Sequence, residues 1–181
     1  GEMVGLTEGA DVKAEEAWDY SMGSRDIVVC VIDDGFDLGH PKFNPPGKIV
    51  APRDFGQADF DPNPVFEDDN HGTACAGVAI AEANGVGVIG LAPTCAFMPV
   101  RMGPYLSDES IENLFQYAID NNADVISCSW SAGVWNFSLS TKMQAIIHKA
   151  ATQGRRNRKG CVILFAAGNE ERPLNGVKDL K

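Results

Sequence analysis

Four short apolar runs are spaced along the chain, with helical patterns between them. The first, residues 27–32 (Ile-Val-Val-Cys-Val-Ile), is continuous, rich in β-branched side chains and bounded by charged residues on both sides. Such a run predicts a strand buried on both faces. Residues 94–100, 125–128 and 161–167 predict three more strands. Residues 71–83 predict a helix that is apolar nearly all round, with Ala74, Cys75, Val78 and Ala81 along it. Residues 110–121 place Ile111, Leu114, Phe115, Ala118 and Ile119 at helical spacing, after the helix-starting Ser107-Asp108-Glu109. Residues 139–152 repeat the pattern with Met143, Ile146, Ile147 and Ala150, stopping at Gly154. Strands alternating with helices predict an α/β fold, a mainly parallel sheet with helices on both faces.

Composition narrows the picture. The chain has 181 residues, enough for one domain, and 44% are hydrophobic, enough for a sizeable core. The net charge of −10 argues against a nucleic-acid partner, since phosphate binding needs a basic face. An acidic surface suits metal ions or Lys/Arg-rich peptides. No apolar run approaches the roughly 20 residues that span a bilayer, so no membrane partner is expected. The five cysteines are odd in number and show no metal-type spacing, which predicts buried thiols packed as small hydrophobes. Gly85-Val86-Gly87-Val88-Ile89-Gly90 matches a dinucleotide fingerprint in letters only, because it follows a helix and precedes a strand.

Three motifs carry the chemistry. Val31-Ile32-Asp33-Asp34-Gly35 ends the first strand, His71-Gly72-Thr73 opens a helix, and Ala166-Ala167-Gly168-Asn169 ends the last strand. Open α/β sheets place their sites at the carboxyl ends of strands, so Asp33 and Asn169 fall on one edge, where His71 can face them. A carboxylate there can hold a histidine in one tautomer, and the histidine can take a proton from a nucleophile. An asparagine side chain can donate to a developing oxyanion.

In this order the motifs resemble those of the subtilisin-like serine proteases, the subtilases. His71 to Gly77, Gly87 to Pro93, Ala123 to Trp130 and residues 162–169 resemble that family's histidine helix, following turn, substrate strand and oxyanion strand. The resemblance implies Asp33 as catalytic acid, His71 as base and Asn169 as oxyanion donor. Ser129, Trp130, Ser131 and Gly133 would line a groove that pairs with an extended peptide or protein substrate. The family's Gly-Thr-Ser motif, which carries the nucleophile, does not occur in the sequence. The expectation is therefore that residues 1–181 form the N-terminal part of a single subtilisin-like catalytic domain, incomplete in this chain. A C-terminal chain of the same protease would then supply the serine. The rival expectation is a non-catalytic, subtilase-like peptide-binding domain. For compartment, the resemblance favours a secreted or periplasmic protein.

The Asp-Asp-Gly form and the Asp-Phe-Asp-Pro-Asn-Pro stretch resemble the kexin and furin branch, in which acids near the site select basic residues. That implies substrate-binding roles for Asp34 and Asp69, with Asp68 beside them. After Trp130 the acidic run of that branch is missing. The loop with Asp54, Asp59 and Asp61 resembles a calcium loop, and its clustered carboxylates suit Ca²⁺. A second family calcium site would use Asn84 and the carbonyls of Glu82, Val86 and Val88. Lys42 stands where that site needs an aspartate, so its ammonium is expected to replace the ion.

Overall fold

The computed structural model describes residues 7, 9–131 and 138–169. Its centre is a five-stranded parallel sheet: β1 (Val28–Asp33), β2 (Arg53–Asp54), β3 (Ala96–Arg101), β4 (Val125–Cys128) and β5 (Val162–Phe165), in spatial order β2-β3-β1-β4-β5. All six residues of β1 are buried, as expected for a strand with neighbours on both sides and helices on both faces. Val28, Cys30 and Ile32 enter one core, with Met98, Phe115 and Met143. Val29 and Val31 enter the other, with Phe36, Phe43, Ala76 and Phe97. The strand period of two thus distributes one apolar run over two cores.

The first of those cores lies under α3 (Asp108–Asp120) and α4 (Thr141–Gln153), and the second under α2 (His71–Ile80). Ser107 caps α3 in a reciprocal box with Ser110, and the Ser140 hydroxyl accepts from the Met143 N–H to cap α4. α2 ends earlier than the sequence pattern predicts. Its last carbonyls are taken by the returning loop: Leu91 N–H donates to Val78 O, Ala92 N–H to Ala79 O and Gly90 N–H to Ala81 O, each at 2.9 Å. Gly90 is needed there, because a Cβ would collide with the backbone of Ile80 and Ala81.

Two short elements carry no sequence signal: α1 (Ala14–Trp18), which has no buried residue, and the two-residue β2. Cys30, Cys95, Cys128 and Cys161 are buried, while Cys75 is half-buried on α2. Among the described residues two apolar surfaces are exposed. At the β5 edge, Val162, Leu164 and Phe165 are about half exposed. Along α2 and the loop after it, Val78 is 78% exposed and Val88, Ile89 and Leu91 are also exposed. Among the described residues no helix is long and apolar enough to cross a membrane.

Candidate active site

The site begins where β1 runs out. Asp33 is the last residue of β1, and its carboxylate is buried beneath the edge of the sheet. His71 is the first residue of α2. The two meet with His71 Nδ1 2.8 Å from Asp33 Oδ1, while the imidazole stays 56% exposed. The same Asp33 oxygen accepts from the Asp34 N–H at 2.9 Å. Its other oxygen is buried and has no hydrogen-bond partner among the described residues. Burial pushes the Asp33 carboxyl up, against the hydrogen bond from His71. The His71 ring is pushed above its usual value by the hydrogen bond to Asp33, which outweighs its partial burial.

Asp34 holds the helix that carries His71. Its carboxylate accepts from the His71 N–H at 3.2 Å and the Gly72 N–H at 2.7 Å, which satisfies two open donors at the helix start. Gly72 allows the close approach: a Cβ there would lie 2.5 Å from Gly35 O and 2.8 Å from Asp33 Cβ. One turn along α2, Cys75 Sγ lies 3.6 Å from His71 Nε2 and 3.7 Å from Nδ1. Burial raises its thiol pKa, so Cys75 is a protonated neighbour of the ring rather than a thiolate.

Residues beyond β4 divide between two hollows. Ser129 borders the open concavity that contains His71, Cys75 and the apolar residues Val78, Val88, Ile89 and Leu91. Trp130 and Ser131 line a separate cavity of about 500 Å³, with Ile111, Leu139, Met143 and Phe165. Trp130 is fixed there by its Nε1–H donating to Ile32 O at 3.0 Å and by an edge-on contact with Phe165. Asn169 is exposed just beyond the carboxyl end of β5, on the same edge as Asp33. Gly133 lies outside the described residues.

The acids read as substrate ligands are engaged inside the protein. Asp34 caps α2. The Asp69 carboxylate accepts from Val65 N–H, Phe66 N–H and Arg101 Nη2, and these bonds outweigh burial and lower its pKa. The three aspartates read as a calcium loop also do not gather. Asp54 is fully buried and faces Arg101 Nη1 at 3.2 Å, and its oxygen Oδ1 accepts from Gly56 and Gln57 N–H. Asp59 and Asp61 are exposed, bonded to the Asp61 N–H and the Asn63 amide respectively. Among the described residues the one cluster of potential metal-ligand atoms is Asp33, His71 and Cys75, not this loop.

Lys42 behaves as its position suggested. It is 2% exposed, and its ammonium donates to Glu82 O at 2.8 Å and to Asn84 Oδ1 at 2.6 Å. A tethered cation thus occupies the oxygen-lined turn after α2. The Glu82 side chain in turn pairs with Arg25 and with the buried Lys48.

The sequence reading missed Arg101. It closes β3 in register with Asp33 and reaches Asp34, Asp54 and Asp69 at once. A lone arginine ending an otherwise apolar strand was the available signal.

The chain belongs to the subtilase family, which it matches over residues 24–180. It is 42% identical over 177 residues to the calcium-dependent protease of Trichormus variabilis, a match covering 91% of this chain and 26% of that protein. It is 32% identical over 166 residues to kexin of Candida albicans, covering 89% of this chain and 17% of that one. The chain therefore spans about a quarter or less of the length of these relatives. Among solved structures it resembles in fold fervidolysin of Fervidobacterium pennivorans (TM-score 0.67, 24% identity, 92% of this chain and 23% of that one). It likewise resembles the prenylagaramide maturation protease PagA (TM-score 0.66, 21% identity, 88% and 52%).

Proposed function

We propose that this chain carries the acid, base and oxyanion donor of a serine endopeptidase whose nucleophile lies outside residues 1–181. The observation that carries the reading is the 2.8 Å contact between a buried Asp33 and a solvent-facing His71. Asp33 holds the ring with Nδ1 protonated, which leaves Nε2 free to accept the proton of an incoming serine hydroxyl. The Asn169 amide donates to the oxyanion that forms when the serine attacks a peptide carbonyl. The proton then passes from Nε2 to the leaving amine.

The serine arrives on a segment that covers the open apolar surfaces. α2 is apolar on all sides, and such helices are normally buried. Its exposed face runs up to His71, so a segment packed there would end beside the imidazole. The β5 edge offers the same segment, or its continuation, unpaired backbone. That segment belongs to a companion C-terminal chain of the same protease or to the same polypeptide. A fluorophosphonate probe tests the reading in the intact protein. Covalent labelling of one serine, abolished in His71→Ala, is the expected result. A folded, intact protein that takes no label overturns the enzyme in favour of a peptide-binding domain. Intact mass under native and denaturing conditions assigns the serine to its chain.

The substrate is an extended peptide laid along the end of β4, with one apolar side chain in the Trp130 cavity. A preference for basic residues is supported by relatives named kexin and dibasic-processing endoprotease. Both oxygens of Asp34 and one oxygen of Asp69 are already engaged within the chain; Glu67 and Asp68 are exposed acids nearby.

Ca²⁺ is proposed for the intact protein on the name of its relatives, "calcium-dependent protease". Within this loop Asp59 and Asp61 are the accessible carboxylates, and Asp54 is held by Arg101. Chelation is expected to lower Tm, because it removes the ligand's mass-action contribution to stability, about 2.7 kcal/mol at a hundredfold excess over Kd. The double variant D59N/D61N lowers that response if these two residues ligate. An unchanged response in the variant removes this loop from the calcium reading, and no response in either protein removes calcium.

A further inference from the structure

We infer that Arg101 is a positioning residue for the Asp33–His71 pair, acting through the backbone of Asp34. The inference rests on the protease reading for its catalytic consequence, but its structural content is independent of it. Asp34 is the hinge of the site in three ways. Its N–H donates to Asp33 Oδ1, the oxygen that also meets His71. Its carboxylate receives the N–H groups of His71 and Gly72. Its carbonyl accepts from Arg101 Nε at 2.6 Å. The acid, the base and the helix start therefore all depend on how one residue, Asp34, is oriented, and Arg101 holds its carbonyl.

Arg101 is itself over-determined. It is 6% exposed, and its backbone is locked between neighbours, with Met102 N–H donating to Asp33 O and Phe55 N–H to Arg101 O. Its Nη1 faces Asp54 at 3.2 Å and its Nη2 faces Asp69 at 2.9 Å. A Cβ on Gly56 would come within 2.6 Å of Nη1, so the guanidinium fits a closed slot. The planar fork spans three acceptors from three segments: the end of β1, the β2 turn and the loop before α2. A lysine ammonium keeps the charge but has no such fixed fork. Removing the charge altogether would leave the buried Asp54 carboxylate unpaired, which is strongly destabilising.

The test is made in the intact protein with Arg101→Lys, which preserves charge and isolates geometry. The two readouts are steady-state kinetics and the low-field proton resonance of the His71 Nδ1–H in its bond to Asp33. Expected are a kcat lowered about 10- to 100-fold with KM within about twofold, since small misplacements of catalytic groups cost rates of that order. The Nδ1–H resonance is expected to shift upfield or broaden. A folded variant with parental kcat and an unmoved resonance overturns the inference, and a lowered Tm with both unchanged reduces Arg101 to a purely structural role. The resonance decides the matter even if the parental protein proves to have no protease activity. Should R101K not fold, Asp69→Ala, which removes one acceptor of the fork and leaves Asp54 paired, is read by the same resonance. A shift supports the inference and no shift overturns it.

Discussion

Replacing Asp33 with Asn is expected to lower kcat of the intact protein about 10⁴-fold, the scale seen when the acid of a serine-protease triad is neutralised. Two losses combine. The asparagine has no charge to stabilise the imidazolium that forms as His71 accepts the serine proton. Its amide can also donate to Nδ1, which turns the ring to the tautomer with its proton on the wrong nitrogen. The pH profile gives a second check. In the parental protein the hydrogen bond to Asp33 raises the His71 pKa. His71 must be neutral to act as base, so activity falls as pH drops through that raised value, above the usual histidine value of about 6.5. In D33N the support is gone and the acid limb moves to lower pH.

Stability runs a different course, because both folded values are raised and linkage makes each group's contribution decline as pH rises. The raised His71 value contributes stability that is full below pH ~6.5 and fades as pH rises through the folded value. The raised Asp33 value means that its ionised form is disfavoured by burial, a cost that grows as pH rises above about 3.9. D33N removes both, so it is expected to fold as well as the parent at alkaline pH while being nearly inactive. Denaturant melts and kcat/KM across the pH range measure this. A loss below about tenfold, with an unmoved acid limb, would sink the assignment of Asp33 as catalytic acid.

Much of this site was readable because β1 and α2 state their roles locally. A short continuous apolar run rich in β-branched residues fits an interior parallel strand, and an acid that ends it then lies at the carboxyl edge. The helix opened by His71-Gly72-Thr73 was equally plain. What could not be read were contacts whose partners lie far apart in the chain. Asp54, Asp59 and Asp61 have the spacing of a cation loop, but spacing says nothing of Arg101, 47 positions further on, which takes Asp54 into the interior. Asp34 and Asp69 look like loop acids open to a substrate, yet N–H groups and the same arginine claim them. Lys42 was the reverse case. One lysine where an aspartate was expected signalled a built-in cation, and the structure places its ammonium against Glu82 O and Asn84 Oδ1. β2 and α1 escaped because two and five residues are too short for a period to show.

Gly72→Ala is expected to separate local propensity from tertiary fit most sharply. In a helix interior alanine is better than glycine by roughly 0.5–1 kcal/mol, so on propensity alone the change stabilises. Position 72 is buried in the first turn of α2, and the added methyl would sit 2.5 Å from Gly35 O and 3.0 Å from Asp34 Oδ1. Two of its three nearest atoms, Gly35 O and Asp33 Cβ, belong to a backbone segment pinned by β1 pairing and by Arg101, so neither can turn aside as a flexible side chain would. Overpacking of this kind costs about 1–3 kcal/mol, which exceeds the propensity gain. Relief comes by lifting the start of α2 away from β1, and that movement lengthens the Asp33–His71 contact. G72A should therefore lower Tm and kcat together, with KM little changed, and weaken the Nδ1–H resonance of His71. If alanine instead raised Tm and left kcat intact, the close packing of α2 against the end of β1 would not be what holds the acid and base together.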